Sequence, residues 1–263
     1  MDGQIGLEQT PEEYINRLVE VFREVRRVLR NDGTLWVNIS DSYAGSGKGW
    51  SGENSIGNQE KRQGFKQGVP YKSKLCKSKD LIGIPWMLAF ALRNDGWYLR
   101  QDIIWQKPNP MPESVKDRCT KAHEYIFLLS KSSKYYFNHE EIKEDAVTKP
   151  VIRNKSKEGY QADYPKGKRF SDGDRVYGAD GKRNKRSVWT VNTKPYKEAH
   201  FAVFPEALIS PCVVAGCENG GIVIDPFFGS GTVGRVAKDN GRNFIGIDLN
   251  KDYCVIAENR VLS

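Results

Sequence analysis

Apolar residues recur every three or four positions near the start of the chain, the spacing of a helix with one buried face. Thr10 supplies a capping hydroxyl, Pro11 suits the first helical position, and Glu12 and Glu13 place negative charge in the first turn. We therefore predict a helix from Thr10 to about Arg30. Its apolar stripe consists of Tyr14, Leu18, Val21, Phe22, Val25, Val28 and Leu29.

Short apolar runs rich in β-branched and aromatic residues follow, and they alternate with helical patterns. We predict strands at about 34–39, 96–105, 124–130, 187–191, 221–225 and 243–248, and helices at about 80–92, 204–215 and from 232. Between them, a polar and basic stretch at about 44–80 is predicted to be a long surface loop. This alternation is typical of an α/β fold, for which we expect a mainly parallel sheet.

A glycine turn joins the strand at 221–225 to the helix that begins near Thr232. Gly229 and Gly231 let the backbone approach a ligand closely, and the N–H groups of the first helical turn point towards it. The next strand ends in Asp248, 19 positions after Gly229, about where a βαβ nucleotide unit carries its ribose-binding acid. The sequence therefore predicts a nucleotide site near the C-terminal end of the chain.

Two glycine patterns permit more than one ligand. Gly229 and Gly231, followed by Gly234 and Asp248, also suit a nicotinamide dinucleotide, although a dinucleotide fold needs more chain after its first glycine turn. The run Gly45-Ser46-Gly47-Lys48-Gly49 could hold phosphate, but it lacks P-loop spacing, so a mobile loop is the favoured interpretation.

Composition restricts the class of protein. The chain has 263 residues and 38% hydrophobic content, enough for a substantial core, while a mean hydropathy of −0.62 indicates much solvated surface. It contains no apolar run long enough to span a membrane and no signal-peptide pattern at the start. The five cysteines form no C-x-x-C pair and the three histidines complete no metal set, so we expect a reduced, cytoplasmic protein without metal.

The net charge of +8 is concentrated in one region. Between Lys131 and Lys197 there are 17 lysines and arginines against nine aspartates and glutamates, a surplus equal to that of the whole chain. Aromatic residues are interspersed in the same region, which favours a nucleic-acid partner over a solvated basic loop. The densest group of candidate contacts comprises Lys182, Arg183, Lys185 and Arg186.

Three single residues each have two interpretations. Cys212, after Pro211, resembles the nucleophile dipeptide of cytosine ring-carbon methyltransferases, but its place in an apolar helix favours a core cysteine. Asp41 is either a polar group of a cleft or a turn residue. Arg118 either contacts phosphate or pairs with Glu124.

The stretch from Asp225 through Pro226, Phe227 and Gly229 to Thr232 resembles the S-adenosylmethionine loop of the permuted, beta-class DNA amino-methyltransferases. That family methylates cytosine N4 or adenine N6. Gly246-Ile247-Asp248 is similar to its ribose-binding strand end, and the segment 200–205, with Phe204 and Pro205, to the part packed beside the cofactor. The resemblance implies S-adenosylmethionine as cofactor. The implied cofactor-binding residues are Asp225, Pro226, Phe227, Gly229, Gly231, Thr232, Asp248, Phe204 and Pro205.

The rest of the chain resembles other parts of the same family. Segment 32–38 and Asp41-Ser42-Tyr43 are similar to the strand and turn across the cleft, and 105–112, Arg118 and His123-Glu124 to the target-base side. The resemblance implies a Rossmann-like sheet in permuted order, with a target-base half at 1–137, a basic target-recognition insertion at 138–187 and a cofactor-binding half at 188–263. It also implies double-stranded DNA as partner, contacted through Lys182, Arg183, Lys185, Arg186, Lys48 and Arg118.

The family's catalytic loop combines a Ser, Asp or Asn, two prolines and an aromatic residue. The polar side chain and a proline carbonyl accept the amino hydrogens of a flipped base. This chain has no two adjacent prolines, and it begins where that loop should have just ended. We therefore assign no catalytic residue and expect an N-terminally incomplete sheet. Two hypotheses follow. The first is a DNA methyltransferase acting on an exocyclic amino group, cytosine N4 favoured over adenine N6. The second is an inactive cofactor- and DNA-binding remnant, or one half of a split enzyme that a second chain completes.

Overall fold

The computed structural model describes residues 3–44, 76–146, 181–193 and 203–262, and the backbone of 151–152 and 176–177. The chain divides into two compact units, one formed by Met1–Asn138 with Ser187–Ser263 and the other by His139–Arg186. Lys48 and the segment 194–202 lie outside the described residues.

The described helices are α1 (Pro11–Val28), α2 (Ile84–Asn94), α3 (Glu206–Gly216), α4 (Thr232–Asp239) and α5 (Lys251–Leu262). The strands of the first unit are β1 (Thr34–Ile39), β2 (Tyr98–Gln106), β3 (His123–Ser130), β8 (Val188–Thr190), β9 (Ile222–Asp225) and β10 (Asn243–Gly246). Those of the second unit are β4 (Glu144–Asp145), β5 (Val151–Ile152), β6 (Val176–Tyr177) and β7 (Lys182–Arg183).

The first unit is built on a four-stranded sheet in the order β1-β3-β2-β8. β3 runs antiparallel to both β1 and β2, and β2 pairs parallel with β8. The expectation of a mainly parallel sheet is therefore wrong for these strands. The direction of β3 depends on the path of the chain through 107–122, which the apolar pattern of the strand does not encode.

Helices cover both faces of this sheet. The five consecutive residues from Ile126 to Ser130 are all buried, so β3 has no solvated face. Phe127 and Leu129 pack with α1 and α2 in one core cluster, whereas Ile126 packs with α3 in the other. The alternating α/β organisation is thus confirmed, although the strands mix both directions.

A separate parallel pair, β9 and β10, carries the glycine turn. Val223 and Phe244 pack against the core cluster that contains α3 and α4. On the opposite face of the same pair, Ile222 and Ile245 are at least half exposed. Among the described residues, β9 pairs only with β10, and β1 only with β3.

The helix predicted from Thr10 is confirmed, and its N-terminus is capped as expected. The Thr10 hydroxyl accepts a hydrogen bond from the Glu13 N–H at 3.2 Å, and the helix ends at Val28. The predicted core role of Cys212 is also confirmed, because this residue is buried in α3 with its thiol directed to the Leu208 carbonyl.

The second unit contains two short antiparallel pairs, β4 with β7 and β5 with β6. Throughout the described parts of the chain, no helix has the length and apolar character needed to cross a membrane. No cluster of three or more potential metal ligands occurs there either.

Candidate functional site

The glycine turn after β9 is held by a carboxylate from the neighbouring strand. The Gly229 N–H donates to Asp248 Oδ2 at 2.8 Å, and the other oxygen of Asp248 accepts the Asn250 N–H at 2.8 Å. The backbone of the turn also donates from Phe228 to the Ile247 carbonyl at 2.9 Å. Asp248, two residues beyond the end of β10, therefore fixes the turn through this hydrogen bond.

Asp225 lies at the end of β9. Among the described residues its carboxylate has one hydrogen-bond donor, the Phe227 N–H, which Oδ1 accepts at 2.9 Å. Burial raises the pKa of Asp225 to about 6, and the nearby charge of Asp248 adds to the increase, while the Phe227 N–H opposes it. No lysine or arginine among the described residues forms an ion pair with Asp225 or Asp248. Two neighbouring strands thus lead into carboxylates that no described lysine or arginine pairs with.

The two glycines of the turn have opposite surroundings. A Cβ built on Gly229 would have the Phe227 carbonyl oxygen as its nearest neighbour, at 4.0 Å, so the space beside it is open. A Cβ on Gly231 would lie 2.9 Å from the Ala257 side chain. Both residues have positive φ, +49° and +79°, which favours glycine. The turn is therefore open on one side and closely packed against α5 on the other.

The other predicted cofactor residues are distributed around this turn. Phe227 is 47% exposed and contacts Phe22 edge-on, with ring centroids 6.0 Å apart. Pro205 is the N-cap residue of α3, and Phe204 packs on the adjoining core. Thr232 is only 3% exposed and its hydroxyl accepts a hydrogen bond from Arg260, so its side chain faces the interior. Pro226 is partly buried beside Asp225.

The target-base segment is held by a charged network across three strands. Glu124 pairs through one oxygen with Lys107, whose ammonium also lies 4.3 Å from the centroid of the Trp105 ring. The other carboxylate oxygen of Glu124 accepts a hydrogen bond from the side-chain amide of Asn38 at 3.2 Å. Of the two interpretations of Arg118, the pair with Glu124 does not form, because Lys107 occupies that carboxylate.

Arg118 has two other partners. It pairs with Glu113, and its guanidinium carbon lies 3.9 Å from the centroid of the Tyr43 ring. Close by, burial lowers the pKa of Lys121, whose ammonium donates to the Asp41 carbonyl at 3.1 Å. These contacts place aromatic rings and cations together at the end of β1, but none of them involves a bound group.

Three of the predicted DNA contacts, Lys182, Arg183 and Arg186, form ion pairs within the second unit. Glu144 accepts from Arg183 at 2.9 Å and from Arg186 at 2.6 Å, and Lys182 pairs with Asp145 at 2.6 Å. Burial opposes the ionisation of Glu144, but the two guanidiniums outweigh it and keep its pKa below the usual value. The basic residues are therefore positioned on the β4–β7 pair rather than free, which the sequence did not reveal.

Asp41 is a helix-capping residue. Its Oδ1 accepts the N–H groups of Ser42, Gly83 and Ile84 at 2.9, 2.9 and 3.0 Å, so it caps α2 from about 40 residues away. This explains why α2 begins at Ile84 rather than at Asp80, where the sequence placed its start.

Asp41→Ala is expected to lower the free energy of unfolding by about 2 kcal/mol, because three backbone donors lose their acceptor. Denaturant unfolding followed by circular dichroism measures this loss. Asp80→Ala is the control, since among the described residues the Asp80 carboxylate accepts one backbone N–H, that of Lys77 in a local turn. Equal losses in the two variants would contradict the capping role.

A separate cavity of about 380 Å³ lies at the beginnings of α1 and α2. Its lining includes the first turn of α1, the segment 80–82, Cys76 and Met87. None of the predicted cofactor or DNA residues lines it, so the glycine turn and not this cavity is the candidate cofactor site.

Residues 1–259 match the model of the N6/N4 DNA methylase family. The type II methyltransferase M.SmaI of Serratia marcescens is 47% identical over 260 residues, covering 99% of this chain and 78% of that protein.

Two solved structures share the fold at low sequence identity. The PvuII DNA methyltransferase, described as cytosine-N4-specific, is similar with a TM-score of 0.64 at 16% identity, covering all of this chain and 75% of that one. A putative DNA modification methylase of Thermus thermophilus, complexed with S-adenosyl-L-methionine, gives a TM-score of 0.57 at 21% identity, with 99% and 81% covered.

Proposed function

Because this chain belongs to the N6/N4 DNA methylase family, we propose that it methylates an exocyclic amino group of a base in double-stranded DNA, with S-adenosylmethionine as cofactor. We favour cytosine N4 over adenine N6. The support for this choice is the similarity of fold to a methyltransferase described as cytosine-N4-specific.

One observation carries the cofactor assignment: beside an open glycine turn, the carboxylates of Asp225 and Asp248 have no cationic partner among the described residues. A carboxylate whose pKa is raised by burial gains most from a ligand that brings positive charge. S-adenosylmethionine carries a sulfonium and an ammonium group, so the residues present fit it. The proposed binding residues are Asp225, Pro226, Phe227, Gly229, Gly231, Thr232, Asp248, Phe204 and Pro205.

When bound, the cofactor supplies a methyl group already activated by its sulfonium. The protein's contribution is then orientation more than acid–base chemistry. Asp248 keeps the turn in shape through the Gly229 N–H, and the open side of Gly229 admits the ligand. Lys107, Glu124 and Asn38 stiffen the strand ends on the proposed target-base side, where a flipped base must be held.

We propose that the basic unit at 138–187 reads the DNA, with 1–137 on the target-base side and 188–263 on the cofactor side. Its candidate contacts are Lys182, Arg183, Lys185 and Arg186, together with Lys48 and Arg118. In this arrangement Glu144 and Asp145 hold three of the cations in place and compete with phosphate for them.

The DNA affinity of the unaltered protein is expected to fall steeply as the salt concentration rises. In the double variant Arg183→Ala/Arg186→Ala, the slope of log affinity against log salt concentration should become smaller by about one unit per lost phosphate contact. Fluorescence anisotropy with a labelled duplex measures the slope. The control is Arg27→Ala on α1, whose guanidinium pairs with Glu24 on the same helix. An unchanged slope in the double variant would exclude these two arginines as contacts.

The alternative is that this chain binds cofactor and DNA but requires a second chain for catalysis. Two observations support it: the sequence has no adjacent prolines, and the described strands leave one edge of β1 and one edge of β9 unpaired. In this alternative the permuted sheet is completed by strands from elsewhere.

Transfer of labelled methyl groups to duplex DNA by this chain alone decides between the two. Steady turnover would refute the alternative. Binding of both S-adenosylmethionine and DNA without transfer would support it. A chain that binds no S-adenosylmethionine by calorimetry would contradict both.

A further inference from the structure

Arg260, in the last turn of α5, joins the glycine turn to two helices. One guanidinium nitrogen donates to the Thr232 hydroxyl at 2.8 Å and to the Ser230 hydroxyl at 3.1 Å. The other donates to Glu206, the first residue of α3, at 2.8 Å. The Arg260 side chain is only 12% exposed, and Ser230 and Thr232 are both buried. The turn is thus held from its interior side.

Ala257 supports the same turn one helical turn earlier on α5. Its Cβ and Cα lie within 3.0 Å of the position that a Cβ on Gly231 would take. Residues three apart lie on one face of a helix, so Ala257 and Arg260 present a steric and a polar contact side by side. On its closed side the turn therefore contacts α5 through both residues.

The packing of α4 against α5 does not by itself require the contact that the Arg260 side chain makes with the turn. Arg235 and Lys238 of α4 already bind the last carbonyls of α5, through Arg260 O at 3.4 Å and Val261 O at 2.7 Å. In addition, a guanidinium next to Thr232 lies at the positive, N-terminal end of α4, which is electrostatically unfavourable. Glu206 offsets that charge. The contact of Arg260 with the turn accordingly points to a role in the shape of the turn.

We propose that Arg260 is a positioning residue for S-adenosylmethionine: it sets the geometry of the turn from Gly229 to Thr232, and thereby cofactor affinity, without touching the cofactor. This inference rests on the proposed function. Since one guanidinium contacts both hydroxyls, its loss leaves Ser230 and Thr232 free to reorient. The open side of the turn then loses its fixed shape.

Arg260→Met is expected to raise the dissociation constant for S-adenosylmethionine about tenfold or more, with a higher KM for the cofactor and little change in kcat at saturation. Arg260→Lys should be intermediate, because an ammonium keeps the charge but not the fork that joins the two hydroxyls to Glu206. Arg235→Gln is the matched control, since it removes a contact between α4 and α5 without touching the turn. Calorimetry measures affinity and thermal unfolding monitors stability.

Cofactor affinity equal to that of the unaltered protein in Arg260→Met would overturn the proposal. So would an equal loss of affinity in Arg235→Gln, because the effect would then be general destabilisation. If Arg260→Met does not fold, Glu206→Gln tests the same contact from its exposed end and should weaken cofactor binding less, in the same direction. Failure of the unaltered protein to bind S-adenosylmethionine would instead contradict the proposed function.

Discussion

Asp225→Asn is expected to weaken S-adenosylmethionine binding by at least about 30-fold at neutral pH while making the free protein more stable. The affinity falls because the amide keeps the shape of the carboxylate but not its charge. The free protein gains stability because burial raises the pKa of Asp225 to about 6, so that its ionisation opposes folding. Opposite signs in affinity and stability are the signature of a binding carboxylate.

The pH range of the stability effect follows from the two pKa values. The unfolded carboxyl has its ordinary pKa of 3.8, and the folded one about 6. Below the lower value both states are protonated, and stability falls as the pH rises from there through the folded pKa. Above about pH 7 the full cost is present, up to about 3 kcal/mol. Asp225→Asn should thus match the unaltered protein in acid and exceed it at neutral pH.

The affinity of the unaltered protein for S-adenosylmethionine should depend on pH through the same ionisation of Asp225. Affinity is expected to fall about tenfold between roughly pH 7 and pH 5, because the protonated carboxyl must release its proton to receive a cationic ligand. Calorimetry in buffers of different ionisation enthalpy measures the proton release. Asp239→Asn, which removes a surface carboxylate of α4 paired with Arg235, is the control and should change neither affinity nor its pH dependence. A pH-independent affinity would contradict the assignment of Asp225.

Local signals in the sequence were sufficient wherever the structure depends on neighbours along the chain. Thr10 and Pro11 define the start of α1, and β1 occupies the predicted 34–39. The glycine turn, with Asp225 before it and Asp248 after the next strand, also lies where the spacing placed it. Each of these features is determined within about 25 residues of chain.

Contacts between distant parts of the chain could not be predicted in this way. α2 begins at Ile84 because Asp41 caps it, and β3 is antiparallel because of the path taken by 107–122. No helix was predicted over 251–262, so α5 and with it Arg260 were missed. The basic cluster was found, but its ion pairs with Glu144 and Asp145 join residues nearly 40 positions apart.

The two glycines of the turn allow the cofactor role to be separated from the folding role. Gly231→Ala is expected to lower the free energy of unfolding by about 3 kcal/mol, since its Cβ would overlap Ala257 and its φ of +79° disfavours any side chain. Gly229→Ala should cost about 1 kcal/mol, because its φ is also positive but the space beside it is open. Denaturant unfolding measures both losses.

For cofactor affinity the order of the two variants should be reversed, with the larger loss in Gly229→Ala. The methyl group of Gly229→Ala projects into the open side of the turn and is expected to weaken S-adenosylmethionine binding by about tenfold or more, although the protein remains folded. Ala257→Gly should partly restore the stability of Gly231→Ala, because it removes the overlapping Cβ. It should do nothing for Gly229→Ala. If Gly229→Ala bound the cofactor as tightly as the unaltered protein, the open side of the turn would not be the binding surface.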